Sequence, residues 1–254
     1  ALLKKIDQST FDVLEVNTIY LSSASGDDAN TGASTAPVAS IKRAVGLLTE
    51  VPAGGNPNAS YSGKIVVLDY TSEGNEEKAS SGSEILIVGA TKDSTITIED
   101  GAFLKLAGLN ARFKNITFAV NSTERAGIDA GGGKLTMDTG ITVKPNTQYL
   151  TLIGGTSDAE GTADKADITI NSGEYADVVG SVGSVTGGST ITINNGTFNG
   201  TVRGGAEDGN VGGDVNVIIN GGKFTSDAEI IGGNKRPDTR VGGDIIITIN
   251  GGDF

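Results

Sequence analysis

The chain has 254 residues, with 19 basic and 31 acidic side chains and a net charge of −12 at pH 7. It contains no Cys, His or Trp, which excludes Ser-His-Asp and Cys-His catalysis, Cys/His metal sites and disulfide scaffolds. The negative charge disfavours nucleic acid as a partner, and no apolar run approaches the roughly 20 residues that span a membrane. With 39 glycines and 37% hydrophobic residues, the composition indicates a folded, turn-rich protein.

In chain order, residues 1–17 are predicted to be a connector or an N-terminal cap, and residues 18–254 a single domain. One helix is predicted from Ile41 to Glu50, because Ser40 can cap it and apolar residues recur at helical spacing. Pro52 follows and stops the helix. The rest of the chain consists of short β-branched segments separated by Gly and Asn, which predicts an all-β fold.

An internal repeat predicts the architecture, because self-similarity at a near-constant period is typical of stacked coils. Six units align on a polar residue after a strand, on a glycine two positions later and on a third residue two positions beyond. The polar column contains Glu99, Asp138, Asn171, Asn194, Asn220 and Asn250. The glycine column contains Gly101, Gly140, Gly173, Gly196, Gly222 and Gly252. The third column is mostly aromatic and contains Phe103, Thr142, Tyr175, Phe198, Phe224 and Phe254. We expect an Asn ladder, tight glycine turns at positive φ and stacked core rings.

Four loops of unequal length interrupt the later repeats, at 156–166, 181–186, 206–211 and 234–241. Loops at the same place in successive coils must stack on one side of a solenoid, and such a loop wall often marks the binding surface. The predicted ligand-binding residues on the loop wall are Asp158, Glu160, Asp164, Glu207, Asp208 and Asp238. The alternative interpretation is that these loops are ordinary solvent-exposed connections.

The segment from Thr18 to Val45, TIYLSSASGDDANTGASTAPVASIKRAV, resembles the opening of pectin-lyase-like right-handed parallel β-helix proteins. The later GG-D-hydrophobic-T-I-N-G-G-x-F units resemble repeats in cell-surface proteins of Firmicutes. Together these resemblances cover residues 18–254 and imply a right-handed parallel β-helix with one short N-terminal capping helix, in a secreted or surface-attached protein. They imply no single activity, because this fold carries lyases, hydrolases, epimerases, adhesins and spacers.

The last loop contains KRPDTR, from Lys235 to Arg240, which is similar to the R-x-P-x-x-R element of pectate lyases. This resemblance implies that Lys235, or Arg236 beside it, abstracts the proton α to a uronate carboxylate while Arg240 helps to hold the anionic sugar. Such a base needs a pKa lowered by neighbouring cations. The Trp-x-Asp-His element of that family is absent from a chain that has no Trp and no His.

Three Asp residues provide a candidate metal site. Asp214 and Asp244 each follow Gly-Gly and precede a strand, and Asp167 is aligned at the same place after Ala166. Carboxylates repeating at one position could line up as oxygen ligands for Ca²⁺, and the sequence suggests no other cofactor. Alternatively, these side chains only keep the edge of the coils soluble.

Three functions stay open on the sequence. The first is a non-catalytic extracellular module, adhesin-like or polysaccharide-binding, because a repeat rod offers a long surface to a long ligand. The second is a polysaccharide lyase acting on uronic-acid-containing glycans, and the third is a purely structural stalk. We also expect the chain to be part of a longer protein, because Phe254 falls in the middle of a coil.

Overall fold

The computed structural model describes residues 18–49, 63–72, 84–99, 101–145, 147 and 149–254. These residues form a parallel β-solenoid of about 7 turns, with 48% strand and 4% helix. The predicted all-β parallel β-helix with one short helix is confirmed. The predicted connector at residues 1–17 lies outside the described residues.

The helix α1 spans Ile41–Thr49. The strands are β1 (Thr18–Ser22), β2 (Gly63–Ser72), β3 (Glu84–Gly89), β4 (Thr95–Ile98), β5 (Phe103–Lys105), β6 (Asn110–Lys114), β7 (Thr117–Val120), β8 (Gly127–Asp129), β9 (Lys134–Met137), β10 (Thr142–Val143), β11 (Leu150–Ile153), β12 (Thr162–Ala163), β13 (Ala166–Ile170), β14 (Glu174–Ser181), β15 (Ser184–Val185), β16 (Ser189–Ile193), β17 (Thr197–Phe198), β18 (Thr201–Ala206), β19 (Val215–Ile219), β20 (Lys223–Phe224), β21 (Glu229–Ile231) and β22 (Ile245–Ile249).

Three parallel sheets form the faces of the solenoid. Sheet 1 contains β1, the first half of β2, β3, β6, β9, β13, β16, β19 and β22. Sheet 2 contains the second half of β2, β4, β7 and β10, so the long strand β2 turns the corner between the two sheets. Sheet 3 contains β5, β8, β11, β14, β18 and β21, with β17 and β20 beside the start of β14. Sheet 2 ends at β10, whereas sheets 1 and 3 continue through the later coils.

The strand register confirms the alignment of the strand in five of the six predicted repeat units. One register column of sheet 1 contains Leu135, Ile168, Ile191, Val217 and Ile247. The unit that begins at Ile96 is different, because β4 pairs with β2 and β7 in sheet 2. Glu99 and Phe103 therefore do not continue the Asn and aromatic columns, and the alignment of this unit was wrong. The placement of Thr142 in the third column was also wrong, because Thr142 pairs with Thr117 in sheet 2 and Leu150 is the register partner of Tyr175.

Alternation of inward and outward side chains builds the core. In β13 and β16 every second residue is buried, so Ile168, Ile170, Ile191 and Ile193 are 0% exposed while Thr192 faces outwards. Burying each such aliphatic side chain contributes about 1.5–3 kcal/mol. The repeated isoleucines therefore supply much of the free energy that holds successive coils together.

The helix α1 packs against the first coil as predicted. The Ser40 hydroxyl accepts a hydrogen bond from the backbone N–H of Arg43 at 3.0 Å, which is N-cap geometry. The Asp28 carboxylate accepts the backbone N–H groups of Ala39 and Ser40, each at 2.9 Å, and so fixes the entry to the helix. The apolar face is buried and consists of Ile41, Ala44, Val45 and Leu48.

The predicted Asn ladder is present in the last four repeat units. Asn194 donates its side-chain N–H to Asn171, Asn220 donates to Asn194, and Asn250 donates to Asn220, each at 2.8 Å. The glycine two positions later has a φ between 104° and 134° in all four units, Gly173, Gly196, Gly222 and Gly252. The predicted glycine turns at positive φ are therefore present beside the Asn ladder.

The aromatic column forms a continuous stack inside the same turns. The ring centroids are 5.5 Å apart for Tyr175 and Phe198, 4.9 Å for Phe198 and Phe224, and 4.8 Å for Phe224 and Phe254. Burial raises the pKa of Tyr175, whose hydroxyl donates to the Ser172 carbonyl at 2.6 Å. The prediction that these rings stack in register is confirmed.

An ion pair on the outer side of sheet 1 makes the stability depend on pH. Arg112 Nε donates to the Asp138 carboxylate at 2.9 Å. Burial alone would raise the pKa of Asp138, but hydrogen bonds from the Thr139 backbone and from Arg112 hold that pKa below its ordinary value. A carboxyl with a lower pKa in the folded state stabilises the fold above its unfolded pKa of about 3.9. That contribution is lost as the pH falls through the folded pKa.

We therefore expect Asp138→Asn to flatten the pH dependence of the free energy of unfolding between about pH 4.5 and pH 2. Urea unfolding at several pH values measures this slope. Asp93→Asn is the control, because this side chain is exposed. An unchanged slope in Asp138→Asn would contradict the stabilising role of the ion pair.

Candidate functional site

The four inserted loops stack on one side of the solenoid, as predicted. Strand β12 pairs with β15, and single bridges extend this ladder from Val185 to Val211 and from Val211 to Val241. Beneath the ladder lies a small apolar cluster of Ala166, Val185, Ala206, Val211 and Val215, against which Val241 packs. The loop wall therefore has an ordered inner layer of its own.

The first loop of the wall is tied back onto the outer face of sheet 3. Asp129, at the end of β8, is 4% exposed and accepts the backbone N–H and the hydroxyl of Ser157 at 2.8 and 2.6 Å. Its other oxygen accepts the Gly131 N–H at 2.8 Å. The Ser181 hydroxyl accepts the Thr156 N–H at 3.0 Å and joins the first loop to the second.

Glu207, in the third loop, forms ion pairs with two cations. Arg125, which precedes β8, donates to the Glu207 carboxylate at 2.6 Å and lies 3.4 Å from the Asp177 carboxylate. The ammonium of Lys235 lies 3.9 Å from the other Glu207 oxygen. Glu207 therefore joins two cations and anchors the third loop, which leaves it little capacity to bind a ligand.

Two of the basic residues that the lyase hypothesis needs, Lys235 and Arg236, are paired with carboxylates. Arg236 Nε donates to Asp208, and this hydrogen bond and the Asp208 charge raise the pKa of Arg236. A general base at neutral pH needs a lowered pKa, so this geometry does not favour Arg236. The Arg240 backbone N–H donates to the Asn210 side chain at 2.7 Å. The assignment of Lys235, Arg236 or Arg240 to catalysis stays a prediction.

The other predicted ligand-binding residues are spread along the loop wall. Asp158 accepts the Glu160 backbone N–H at 3.1 Å within the first loop. Asp164 holds the second loop through its backbone carbonyl, and Asp238 is exposed in the last loop. The six carboxylates therefore lie along the loop wall, but they do not meet at one point.

The three aspartates of the candidate calcium site are not equivalent in the structure. The register pairs Asp167 with Thr190, two positions beyond the column of Asp214 and Asp244, so their predicted alignment was wrong. The Asp214 carboxylate accepts the Asp244 N–H at 2.8 Å, and Asp167 lies 3.9 Å from the Lys165 ammonium. In the described residues no three Asp or Glu side chains are grouped so that they could hold a metal. Calcium binding stays a prediction.

A groove of about 570 Å³, not predicted from the sequence, follows the glycine turns of the later coils. It begins at β10, where sheet 2 ends, and we call it the turn groove. Its lining includes one outward residue from each of four successive coils, in the register column Glu174, Thr197, Lys223 and Asp253. Because neighbouring strands are about 4.8 Å apart, this column is about 14 Å long.

The turn groove is a consequence of the shortened repeat. The spacing between equivalent residues falls from 33 residues, between Asp138 and Asn171, to 23 residues, between Asn171 and Asn194. The shorter coils have no sheet 2 strand, so β10 forms a step beside the turns. Their aromatic residue faces the core, and the preceding residue therefore faces the groove. This shortening is the sequence signal that could have located the groove.

The turn groove is equipped to bind hydroxyl groups. Glu174 and Asp253 are exposed acceptors, the Lys223 ammonium is an exposed donor, and the Thr197 hydroxyl can donate and accept. Turn residues Gly173, Gly196 and Gly222 also line the groove, and their carbonyl groups accept the backbone N–H groups of the next coil. Since none of the lining residues that the structure describes is aromatic, recognition here would depend on hydrogen bonds rather than on ring stacking.

No known protein family, no curated protein and no solved structure matches this chain. Among the described residues, no helix has the length and apolar character needed to cross a membrane. The functional argument therefore rests on the geometry of the turn groove and the loop wall.

Proposed function

We propose that this chain is a non-catalytic β-helix module of a secreted or surface-attached protein, and that it binds an extended polysaccharide along the turn groove. The observation that carries the proposal is the column of four outward polar side chains, one per coil, within a groove of about 570 Å³. A ligand made of repeating units matches a surface made of repeating coils.

The residues of the column support a sugar ligand because each hydroxyl of a sugar both donates and accepts hydrogen bonds. Glu174 accepts, Lys223 donates and Thr197 does both. Each net hydrogen bond contributes only about 0.5–1.5 kcal/mol, so useful affinity requires contacts in several coils. We therefore expect oligosaccharides to bind more tightly as their length approaches that of the groove.

Charge supports a neutral rather than an anionic polysaccharide. The chain carries a net charge of −12, and the column combines two carboxylates with one ammonium. A surface of this sign repels a polyuronate. The proposal therefore differs from the lyase hypothesis in the ligand as well as in the absence of turnover.

We also propose membership of the pectin-lyase-like superfamily, because residues 18–45 resemble the opening of those proteins. The proposed cell-surface location rests on the resemblance of the later repeats to surface proteins of Firmicutes. The solenoid is compatible with this location, because a continuous buried core and ladders of paired strands limit the local opening that proteases need.

A glycan array tests the proposal with the triple variant Glu174→Ala/Thr197→Ala/Lys223→Ala. We expect wild type to bind neutral polysaccharides and the variant to bind them at least about 10-fold more weakly, because three hydrogen-bonding groups are lost. Both proteins are first compared by thermal unfolding, since all three side chains lie at the surface and their removal should leave the fold intact.

The control is Glu160→Ala/Thr192→Ala/Lys165→Ala, which makes the same chemical changes on the loop wall and the outer face of sheet 1. It should bind like wild type. Loss of binding in the control but not in the groove variant would move the site to the loop wall.

The same samples are incubated with uronans, with and without Ca²⁺, while the ultraviolet absorbance of unsaturated products is followed. We expect no increase. An increase that disappears in Lys235→Ala or Arg236→Ala would replace the proposal with a lyase. Absence of both binding and cleavage would leave a structural stalk as the function.

A further inference from the structure

A second pocket, of about 300 Å³, lies where the loop wall begins. The preceding coil has no inserted loop, so the first loop overhangs the outer face of sheet 3 at this point. We call this cavity the step pocket. Its lining includes Lys105, Ala107, Asp129, Thr156, Asp158 and Thr162.

Two strands of sheet 3 supply one side of the step pocket. Lys105 of β5 and Asp129 of β8 are register partners, and Lys105 faces outwards because the preceding residue, Leu104, is buried in the core. Asp129 already accepts three hydrogen bonds, from Gly131 and from two groups of Ser157, and is 4% exposed. Lys105 is therefore the charged group that sheet 3 presents to a ligand.

The first loop supplies the opposite side. One oxygen of the exposed Asp158 carboxylate accepts the Glu160 N–H at 3.1 Å, and the second oxygen can accept from a ligand. The Thr156 hydroxyl accepts the Asp158 N–H at 3.1 Å and keeps a proton to donate. Asp129 holds this loop through Ser157, so the two sides of the pocket are fixed relative to each other.

We infer that the step pocket binds one neutral sugar residue, such as the end or a side branch of a glycan. The lining carries the Lys105 ammonium and the Asp129 and Asp158 carboxylates, so its negative balance disfavours an anionic sugar, while the Lys105 ammonium opposes a cationic one. Together with the Thr156 and Thr162 hydroxyls, these charged groups offer both donors and acceptors, as sugar hydroxyls require. The Ala107 and Ala163 methyl groups provide small apolar surfaces for the C–H face of a ring.

The size of the step pocket indicates a single ring. Its volume is about half that of the turn groove and lies at the lower end for small-molecule sites. The inference extends the proposed function, yet it uses no residue of the turn groove, so either site can fail without the other. If both sites bind one glycan, simultaneous engagement raises the overall affinity through effective concentration.

Ligand-observed saturation-transfer NMR tests the inference with D-glucose, D-galactose, D-mannose, D-galacturonate and D-glucosamine. We expect at least one neutral hexose to give transfer at millimolar concentration, and to bind more tightly than the anionic or the cationic sugar. Lys105→Met and Asp158→Ala should each weaken the affinity for that hexose at least 5-fold. Asp227→Ala is the matched control, because it removes the same charge from an exposed position that lines neither pocket.

A second variant keeps the test decisive if Asp158→Ala disturbs the first loop. Thr162→Phe leaves every charged group in place and fills the pocket from an exposed position on β12, so we expect it to abolish hexose transfer. The groove triple variant should keep hexose binding, which separates failure of this inference from failure of the proposed function. No transfer from any neutral hexose, a preference for a charged sugar, or unchanged affinity in Lys105→Met would overturn the inference.

Discussion

Phe198→Ala is expected to lower the free energy of unfolding by about 3–5 kcal/mol. The Phe198 ring is 1% exposed and packs between Tyr175 and Phe224, with centroid distances of 5.5 and 4.9 Å. The neighbouring coils cannot collapse into the resulting cavity, because β17 is held between β14 and β20 by the sheet ladder. The cost therefore includes the cavity as well as the lost burial.

Urea unfolding measures this loss, and hydrogen exchange locates it. Because a coil of a solenoid contacts only its neighbours, faster exchange should be concentrated in the coils beside β17. Phe254→Ala is the control, since the same side chain at the end of the stack is 68% exposed and its removal should cost less than about 1 kcal/mol. Equal losses in the two variants would contradict a core role for the stack.

Gly180→Ala is expected to destabilise the fold by about 3 kcal/mol, because two coils approach too closely there for a side chain. A Cβ at this position would lie 2.1 Å from the Gly204 carbonyl oxygen and 2.6 Å from the Ser189 hydroxyl. These two atoms are themselves hydrogen-bonded at 2.6 Å. The Gly204 backbone belongs to β18 and moves only if the ladder between β14 and β18 shifts.

Gly46→Ala is the matched control, and the expected sign is opposite. Gly46 lies inside α1, where an added Cβ meets nothing within 4 Å. Because glycine in a helix interior is less favourable than alanine, the substitution should stabilise the fold by about 0.5–1 kcal/mol. Both variants are measured by urea unfolding at neutral pH. Similar stability changes in the two variants would show that coil spacing does not limit position 180.

Much of the fold could be predicted because residues in the same column of the later repeats are register partners in neighbouring strands. An Asn, a Gly and an aromatic residue at fixed offsets occur together only when successive turns have the same shape. The ladder from Asn171 to Asn250 and the stack from Tyr175 to Phe254 could therefore be predicted from the sequence.

Errors in alignment arose because the two-residue alternation of a strand is the same for different registers and for different sheets. A shift of two residues leaves every strand side chain on the same face, so the misplacement of Asp167 relative to Asp214 changed no hydrophobic pattern. The unit at Ile96 has the same alternation as the later units, but the corner in β2 places β4 in sheet 2. Strand patterns predict which face is buried and not which sheet a strand joins.

The candidate sites were harder to predict because they depend on contacts distant in sequence. Arg125 and Glu207 are 82 residues apart, and only the fold shows that their ion pair occupies a predicted ligand-binding carboxylate. The turn groove exists because sheet 2 ends at β10, and the step pocket exists because the loop wall begins after β11. The shape of each cavity depends on where sheet 2 ends or where the stacked loops begin, and no single sequence motif predicts these positions.

The most direct test of the central claim is hydrogen exchange of the chain with and without a polysaccharide identified on the glycan array. The proposed function predicts slower exchange in the turns that contain Gly173, Gly196 and Gly222, and unchanged exchange in the loops at 206–211 and 234–241. Protection confined to those loops, or the absence of any bound polysaccharide on the array, would contradict it.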